Sequence, residues 1–202
     1  MSRPENTRHK HHPDAKAELF MSRGQGQTED DFLELLSAVV RCCKPNAVIE
    51  TGTYLADGSL AILNAMHSNG FGHLNTVEAR KTNFDKGNAR LGREAPPGKA
   101  TYKHWHMPAL QFINEDETGP YQLAFLDCDL ATRHLELDSL ISLGKLSPGA
   151  FVMIHDTSPL RLQRPHKVKA YQKGMAEILP KWDITERLEF PLSRGMTILR
   201  IP

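Results

Sequence analysis

The sequence predicts an α/β protein built on one doubly wound, mostly parallel seven-stranded sheet whose last strand runs antiparallel to its neighbour. Three observations carry this. Five short apolar runs alternate with helical stretches, the pattern of strands covered on both faces by crossover helices. Four of those runs end directly on a carboxylate or a His-Asp pair. The chain then finishes with two strand-like runs joined by a short glycine-containing loop, which reads as a β-hairpin.

The elements follow in order. Thr28 opens the first helix ahead of Glu29, Asp30 and Asp31, acids that suit its positive end. Phe32, Leu35, Leu36, Val39, Val40 and Cys43 then recur at helical spacing. Cys42 and Cys43 read as small core residues of that helix. Residues 47–50 form the first strand, and the loop 51–58 leads to an apolar helix over 59–66. A second strand over 74–77 ends at Glu78, with a helix near 81–91. A third covers 100–104, with a short helix around 109–114. The fourth, 123–126, ends at Asp127 and is followed by a helix near 132–143. The turn Ser147-Pro148-Gly149 leads to the fifth strand, 150–154, which ends at His155-Asp156. A helix over 169–179 precedes the hairpin of 182–190 and 196–201.

A chain of 202 residues and 22.7 kDa fits one domain, predicted over residues 19–202 behind a polar leader of residues 1–18. A net charge of +1 gives no field for nucleic acid or an anionic membrane, and no apolar run reaches membrane-spanning length. The three cysteines show no metal-ligand spacing. A cytoplasmic, reduced protein is expected.

Ligands of open α/β sheets bind beyond the carboxyl ends of the strands, where strand order reverses. Glu50, Glu78, Asp127 with Asp129, and His155 with Asp156 fall at that edge. Gly52 and Gly58 allow a tight turn and close ligand approach, and the helix starting near Ser59 offers free backbone N–H groups. Glu78, 26 residues after Gly52, can accept both hydroxyl protons of a ribose.

The segments Ala-Val-Ile-Glu-Thr-Gly-Thr-Tyr, Thr-Val-Glu-Ala, Ala-Phe-Leu-Asp-Cys-Asp-Leu and Leu-Ser-Pro-Gly-Ala-Phe-Val-Met-Ile-His-Asp-Thr resemble successive motifs of class I AdoMet-dependent methyltransferases. The small-molecule O-methyltransferases of catechol, caffeoyl-CoA and macrocin type are the nearest in flavour. The resemblance runs from about residue 24 to the hairpin and implies a Rossmann-like fold. It implies S-adenosyl-L-methionine as cofactor, with Glu50, Gly52, Thr53 and Ser59 at its methionine part and Glu78 at its ribose. His106 and Met107 would flank the adenine, and Asp127 would sit beside the amino group or a metal. Asp156 matches an acid that ligates Mg²⁺ in metal-dependent relatives, and Thr157 stands where the catechol type has Asn. A small-molecule acceptor is implied, and a homodimer is left open.

Two departures stand out. Ala56 occupies the place of the second glycine in Glu-x-Gly-x-x-x-Gly, which suggests a loop one residue longer. Leu130 stands where catechol-type members carry a catalytic Lys; a leucine takes no proton, so the base must lie elsewhere. His155 is the best general-base candidate because imidazole titrates near neutrality, with Asp127 and Asp156 beside it in the catalytic set. Asp127, Asp129 and Asp156 are the candidate ligands for Mg²⁺, which would acidify an acceptor hydroxyl. Arg161, Arg164, His166, Lys167 and Lys169 could recognise an anionic acceptor, and residues 22–27 could fold over the cofactor. Two other readings remain: an AdoMet-fold protein without methyl transfer, and a nicotinamide-dependent oxidoreductase. The absent GxGxxG and the terminal hairpin count against the second.

Overall fold

The computed structural model describes residues 27–159, 165–191 and 194–202. The leader, the segment 22–26, Arg161 and Arg164 lie outside the described residues. Helix α1 (Asp30–Cys43) precedes β1 (Ala47–Thr51), α2 (Asp57–Asn69), β2 (His73–Glu78), α3 (Lys81–Glu94) and β3 (Thr101–His106). Next come α4 (Ala109–Glu115), β4 (Tyr121–Leu126), α5 (Arg133–Ser142), β5 (Leu146–His155) and α6 (Pro165–Lys181). The strands β6 (Arg187–Phe190) and β7 (Met196–Arg200) close the chain.

The seven strands form one sheet in the order β3-β2-β1-β4-β5-β7-β6. Strands β1 to β5 pair in parallel, and β7 is antiparallel to both β5 and β6. The alternation of strand side chains divides the core in two. Val48, Leu123, Phe125 and Met153 pack on one face against Phe32, Leu36 and Val40 of α1 and Ile62 and Met66 of α2. Ile49, Ala124, Leu126, Val152 and Ile154 pack on the other, against α4, α5 and α6. Burial on both faces is why β4 and β5 carry unbroken apolar runs, residues 123–126 and 150–154, and not an apolar residue at every second position.

Several local expectations are corrected. Thr28 does not cap α1: Glu29 precedes the first helical residue, and the Thr28 hydroxyl donates instead to Asp127, at 2.9 Å. Cys42 is exposed, because the buried stripe of α1 is Phe32, Leu33, Leu36 and Val40. Ser147-Pro148-Gly149 belongs to β5, where the pairing with β4 shifts register between Tyr121 and Leu123. Residues 182–186 are not strand, so the edge strand β6 has four residues only. Among the described residues no helix is long and apolar enough to cross a membrane.

Candidate active site

Strand order reverses between β1 and β4, and the chain forms its crevice above their carboxyl ends. Gly52, φ +88°, leaves β1 so close to the tip of β4 that a Cβ would lie 2.5 Å from the Asp127 carbonyl oxygen. Left-handed backbone recurs at Tyr54, φ 47°, and at Ala56, φ 67°. Ala56 therefore adopts the glycine conformation itself, and α2 begins at the next residue. The loop is not lengthened. Its strain is held by neighbours: Arg90 of α3 donates to the Leu55 carbonyl at 2.8 Å and to Asp57 at 2.7 Å. The Glu78 carboxylate accepts the N–H groups of Tyr54 at 2.9 Å and Arg80 at 2.7 Å.

Of the residues expected around the cofactor, Glu50, Gly52, Thr53 and Asp127 line this crevice, together with Gln27, Thr28 and Asp57. Glu78 reaches it through its bond to the loop. Glu50 is buried beneath α2, where it accepts the Ser59 hydroxyl and, at 2.5 Å, that of Thr76. Burial pushes its carboxyl up to about 8, although the two hydroxyls pull the other way. Glu50 and Ser59 thus face each other and brace the loop from below. His106 is exposed and its ring stacks on Phe84 of α3, centroids 5.1 Å apart, with His104 on the same phenyl ring at 4.3 Å. Met107 leans against the core.

At the ends of β4 and β5 the chain gathers a second set of groups. His155, fully buried, bonds Glu29 through Nε2 at 2.7 Å and Asp127 through Nδ1 at 3.0 Å. Burial alone would lower its pKa, but Asp127, Asp156 and Glu29 outweigh that and hold it at about 9. Arg133 of α5, 1 % exposed, donates to Asp127 at 2.9 Å, to the Cys128 carbonyl at 2.7 Å and to the His155 carbonyl. Arg194 clasps Asp156 through Nε and Nη2, donates to the Gln27 carbonyl at 2.6 Å, and its backbone N–H reaches Glu29 at 3.2 Å. Asp156 itself sits at φ 65°. Gly195, φ +83°, lets the hairpin loop lie against Ser158, whose N–H donates to the Arg194 carbonyl at 2.9 Å.

This geometry corrects two expectations. His155 is a buried cation between two acids, with both ring nitrogens engaged, so it offers no free lone pair to a substrate proton. Asp129 stands apart, paired with Lys167 and half-exposed. Leu130 is buried in the apolar core. Asp127, His155 and Asp156 do come together, with one donor atom from each within 4.8 Å of the others, as a metal site requires. As they stand they do not fit a divalent ion: guanidinium and imidazolium groups already occupy them. Sequence reasoning missed Arg133, Arg194, Glu29, Arg90 and Phe84. The available signal was charge balance, since acids predicted at buried strand ends demand buried cations somewhere in the chain.

A doubly wound sheet in the order found here, with an antiparallel seventh strand and a glycine turn at the switch point, defines the Rossmann-like methyltransferase class of fold. Residues 49–157 match the model of the family described as Methyltransferase domain, and the chain belongs to that family. No curated protein sequence matches it. Solved structures share the fold at low identity. The SAH-bound methyltransferase PaMTH1 of Podospora anserina superposes with a TM-score of 0.74 at 15% identity, over 88% of this chain and 80% of that one. An O-methyltransferase from Bacillus cereus in complex with SAH gives 0.71 at 14%, over 89% and 84%. The O-methyltransferase TomG of Streptomyces achromogenes, in complex with SAM, gives 0.68 at 16%, over 87% and 81%.

Proposed function

We propose that this methyltransferase takes its methyl group from AdoMet and transfers it to an oxygen of a small molecule. The observation that carries the reading is the crevice at the β1–β4 switch point. There the Gly52 turn packs on β4 while the Glu78 carboxylate is turned into the same loop through the Tyr54 N–H. The residues present fit an aminoacyl nucleoside. A carboxylate holds about four lone-pair sites, so Glu78 keeps capacity for ribose hydroxyls after accepting two N–H groups. The crevice wall of Gly52, Thr53 and Asp57 offers backbone groups and a carboxylate to the amino-acid part. Bound AdoMet supplies an electrophilic methyl on a sulfonium, which reacts by in-line displacement.

The chain's own residues then align the acceptor and take its proton. Asp127 lines the crevice and is the most exposed side chain of the charged cluster at 14 %. It is the group placed to receive that proton. Arg133 and His155 bond one oxygen of that carboxylate, and the Thr28 hydroxyl bonds the other. A near-neutral chain does not invite nucleic acid as the acceptor. The three free cysteines suit a reduced, cytoplasmic setting.

Calorimetric titration with S-adenosylhomocysteine tests the reading. Micromolar binding is expected, weakened in Glu78→Gln, which keeps one of the two loop contacts but loses the charge that receives ribose hydroxyls. No heat from the wild-type chain would sink the AdoMet assignment.

A further inference from the structure

The carboxylates that the sequence offers to Mg²⁺ are occupied by cations of the chain itself. Asp156 receives Arg194 side-on through Nε and Nη2, with Arg133 at 3.5 Å from its Oδ2. Asp127 receives Arg133 and His155 on one oxygen and the Thr28 hydroxyl on the other. Both guanidinium groups are buried, 1 % exposed at Arg133 and 8 % at Arg194. They arrive from separate elements, Arg133 from the first turn of α5 and Arg194 from the β6–β7 turn. The buried acids Glu29, Asp127 and Asp156 are thus already bonded by the two arginines and by His155.

A divalent ion would have to enter this set in one of two ways. It could crowd two further positive charges against two buried guanidinium groups, or it could expel a guanidinium and strand it in the protein interior. Mg²⁺ also retains several of its waters and takes oxygen ligands in octahedral array. The atoms that would have to turn toward it are Asp127 and Asp156 oxygens already bonded to guanidinium, and an imidazole engaged at both nitrogens. Arg194 is further fixed by the Gln27 carbonyl, so its departure would also loosen the segment leading into α1.

We propose that Arg133 and Arg194 are the resident cations of this strand-end cluster, standing where a divalent ion would otherwise bind, and that the chain binds its cofactor and turns over without metal. The arginines act here as positioning residues: they hold Asp127 and Asp156 in place and do not touch the reacting atoms.

The test is a titration of the full chain with Mn²⁺ followed by electron paramagnetic resonance, alongside S-adenosylhomocysteine titrations in EDTA and in Mg²⁺. The expected result is a free-ion signal matching buffer up to metal concentrations on the order of 1 mM, and a cofactor affinity that changes less than about twofold between the two buffers. One Mn²⁺ per chain bound tighter than about 0.1 mM, and lost in Asp156→Asn, would overturn the proposal. Should Asp156→Asn fail to fold, Asp127→Asn serves the same purpose. Manganese that survives both substitutions sits elsewhere and leaves the arginines in place. A chain that binds neither Mn²⁺ nor S-adenosylhomocysteine would sink the AdoMet reading while the arginine assignment stands.

Discussion

Two regions meet above the sheet and are built by opposite means. On the β1 side, a short loop with left-handed residues is held by Arg90, which donates to the Leu55 carbonyl and pairs with Asp57, and by Glu78, which accepts the Tyr54 N–H. On the β4–β5 side, six ionic side chains close on one another and leave Asp127 as the one with appreciable exposure. The first region gives a ligand backbone and space. The second gives rigidity, tying the entry to α1, the tips of β4 and β5 and the β6–β7 turn into one unit. The contrast predicts that a substitution in the cluster costs stability, whereas one in the loop costs affinity. Arg194→Met should show the largest effect. Removing one partner of a buried pair leaves Asp156 charged without its clasp, and a loss of about 3–5 kcal/mol in urea unfolding is expected. A loss under about 1 kcal/mol would mean that the clasp is solvated and the cluster no rigid unit.

The same contrast sets a pH dependence. The His155 ring is held at about 9 in the folded chain, above its ordinary 6.5, so the native state keeps a proton that the unfolded chain gives up. Its stabilisation is complete below pH 6.5 and is lost as pH rises through 9. Glu50, raised to about 8 from 4.5, acts in the same direction over a lower window, since its burial favours the protonated carboxyl. Urea unfolding at successive pH values should therefore show stability falling by about 4–5 kcal/mol between pH 6.5 and 9, somewhat more than half of it from His155. His155→Gln should flatten the upper part of that fall and Glu50→Gln the lower. A wild-type profile flat across both windows would place neutral groups where the structure places a cation and a protonated acid.

What the sequence discloses divides along the same line. The loop side is legible because its determinants are local: Glu50, Gly52 and Glu78 each follow an apolar run, and strand ends are where α/β sheets bind. The alternation of strands and helices, the two-faced core and the hairpin were legible for the same reason, since runs and turns are short-range signals. The cluster is not local. Glu29 and His155 are joined across 126 positions and Arg194 reaches Asp156 across 38, distances over which no periodicity informs. Arg133 looks like any helix-surface arginine until α5 packs on the sheet, and Arg194 like any turn residue. His155 was misread for a related reason. Its neighbours along the chain say that it ends a strand, but only its neighbours in space say that it is charged and enclosed.

The loop side is sharpened by Glu78→Gln. The amide oxygen can still accept from the Tyr54 or Arg80 N–H, so melting should move little. The lost charge weakens hydrogen bonds to ribose hydroxyls, and S-adenosylhomocysteine affinity should fall about tenfold, equivalent to about 1.4 kcal/mol. Equal losses of affinity and of stability would show that Glu78 serves only the loop, and the division between the two regions would blur.

The smallest effect belongs to Ala56→Gly, and it tests whether the loop stores strain. A left-handed alanine costs roughly 1–2 kcal/mol, which glycine relieves. Against that, the substitution removes a fully buried methyl worth about 0.8 kcal/mol and adds backbone freedom to the unfolded chain worth another 0.4–1 kcal/mol. These terms nearly cancel, so unfolding should change by less than about 0.5 kcal/mol in either direction. The informative readout is affinity. If Arg90 and Glu78 hold the loop in its ligand-ready shape, the glycine variant should bind S-adenosylhomocysteine like the wild type. A clear weakening would show that the buried methyl, wedged under the start of α2, does the holding, and that the alanine is a structural part of the loop and not merely a tolerated glycine substitute.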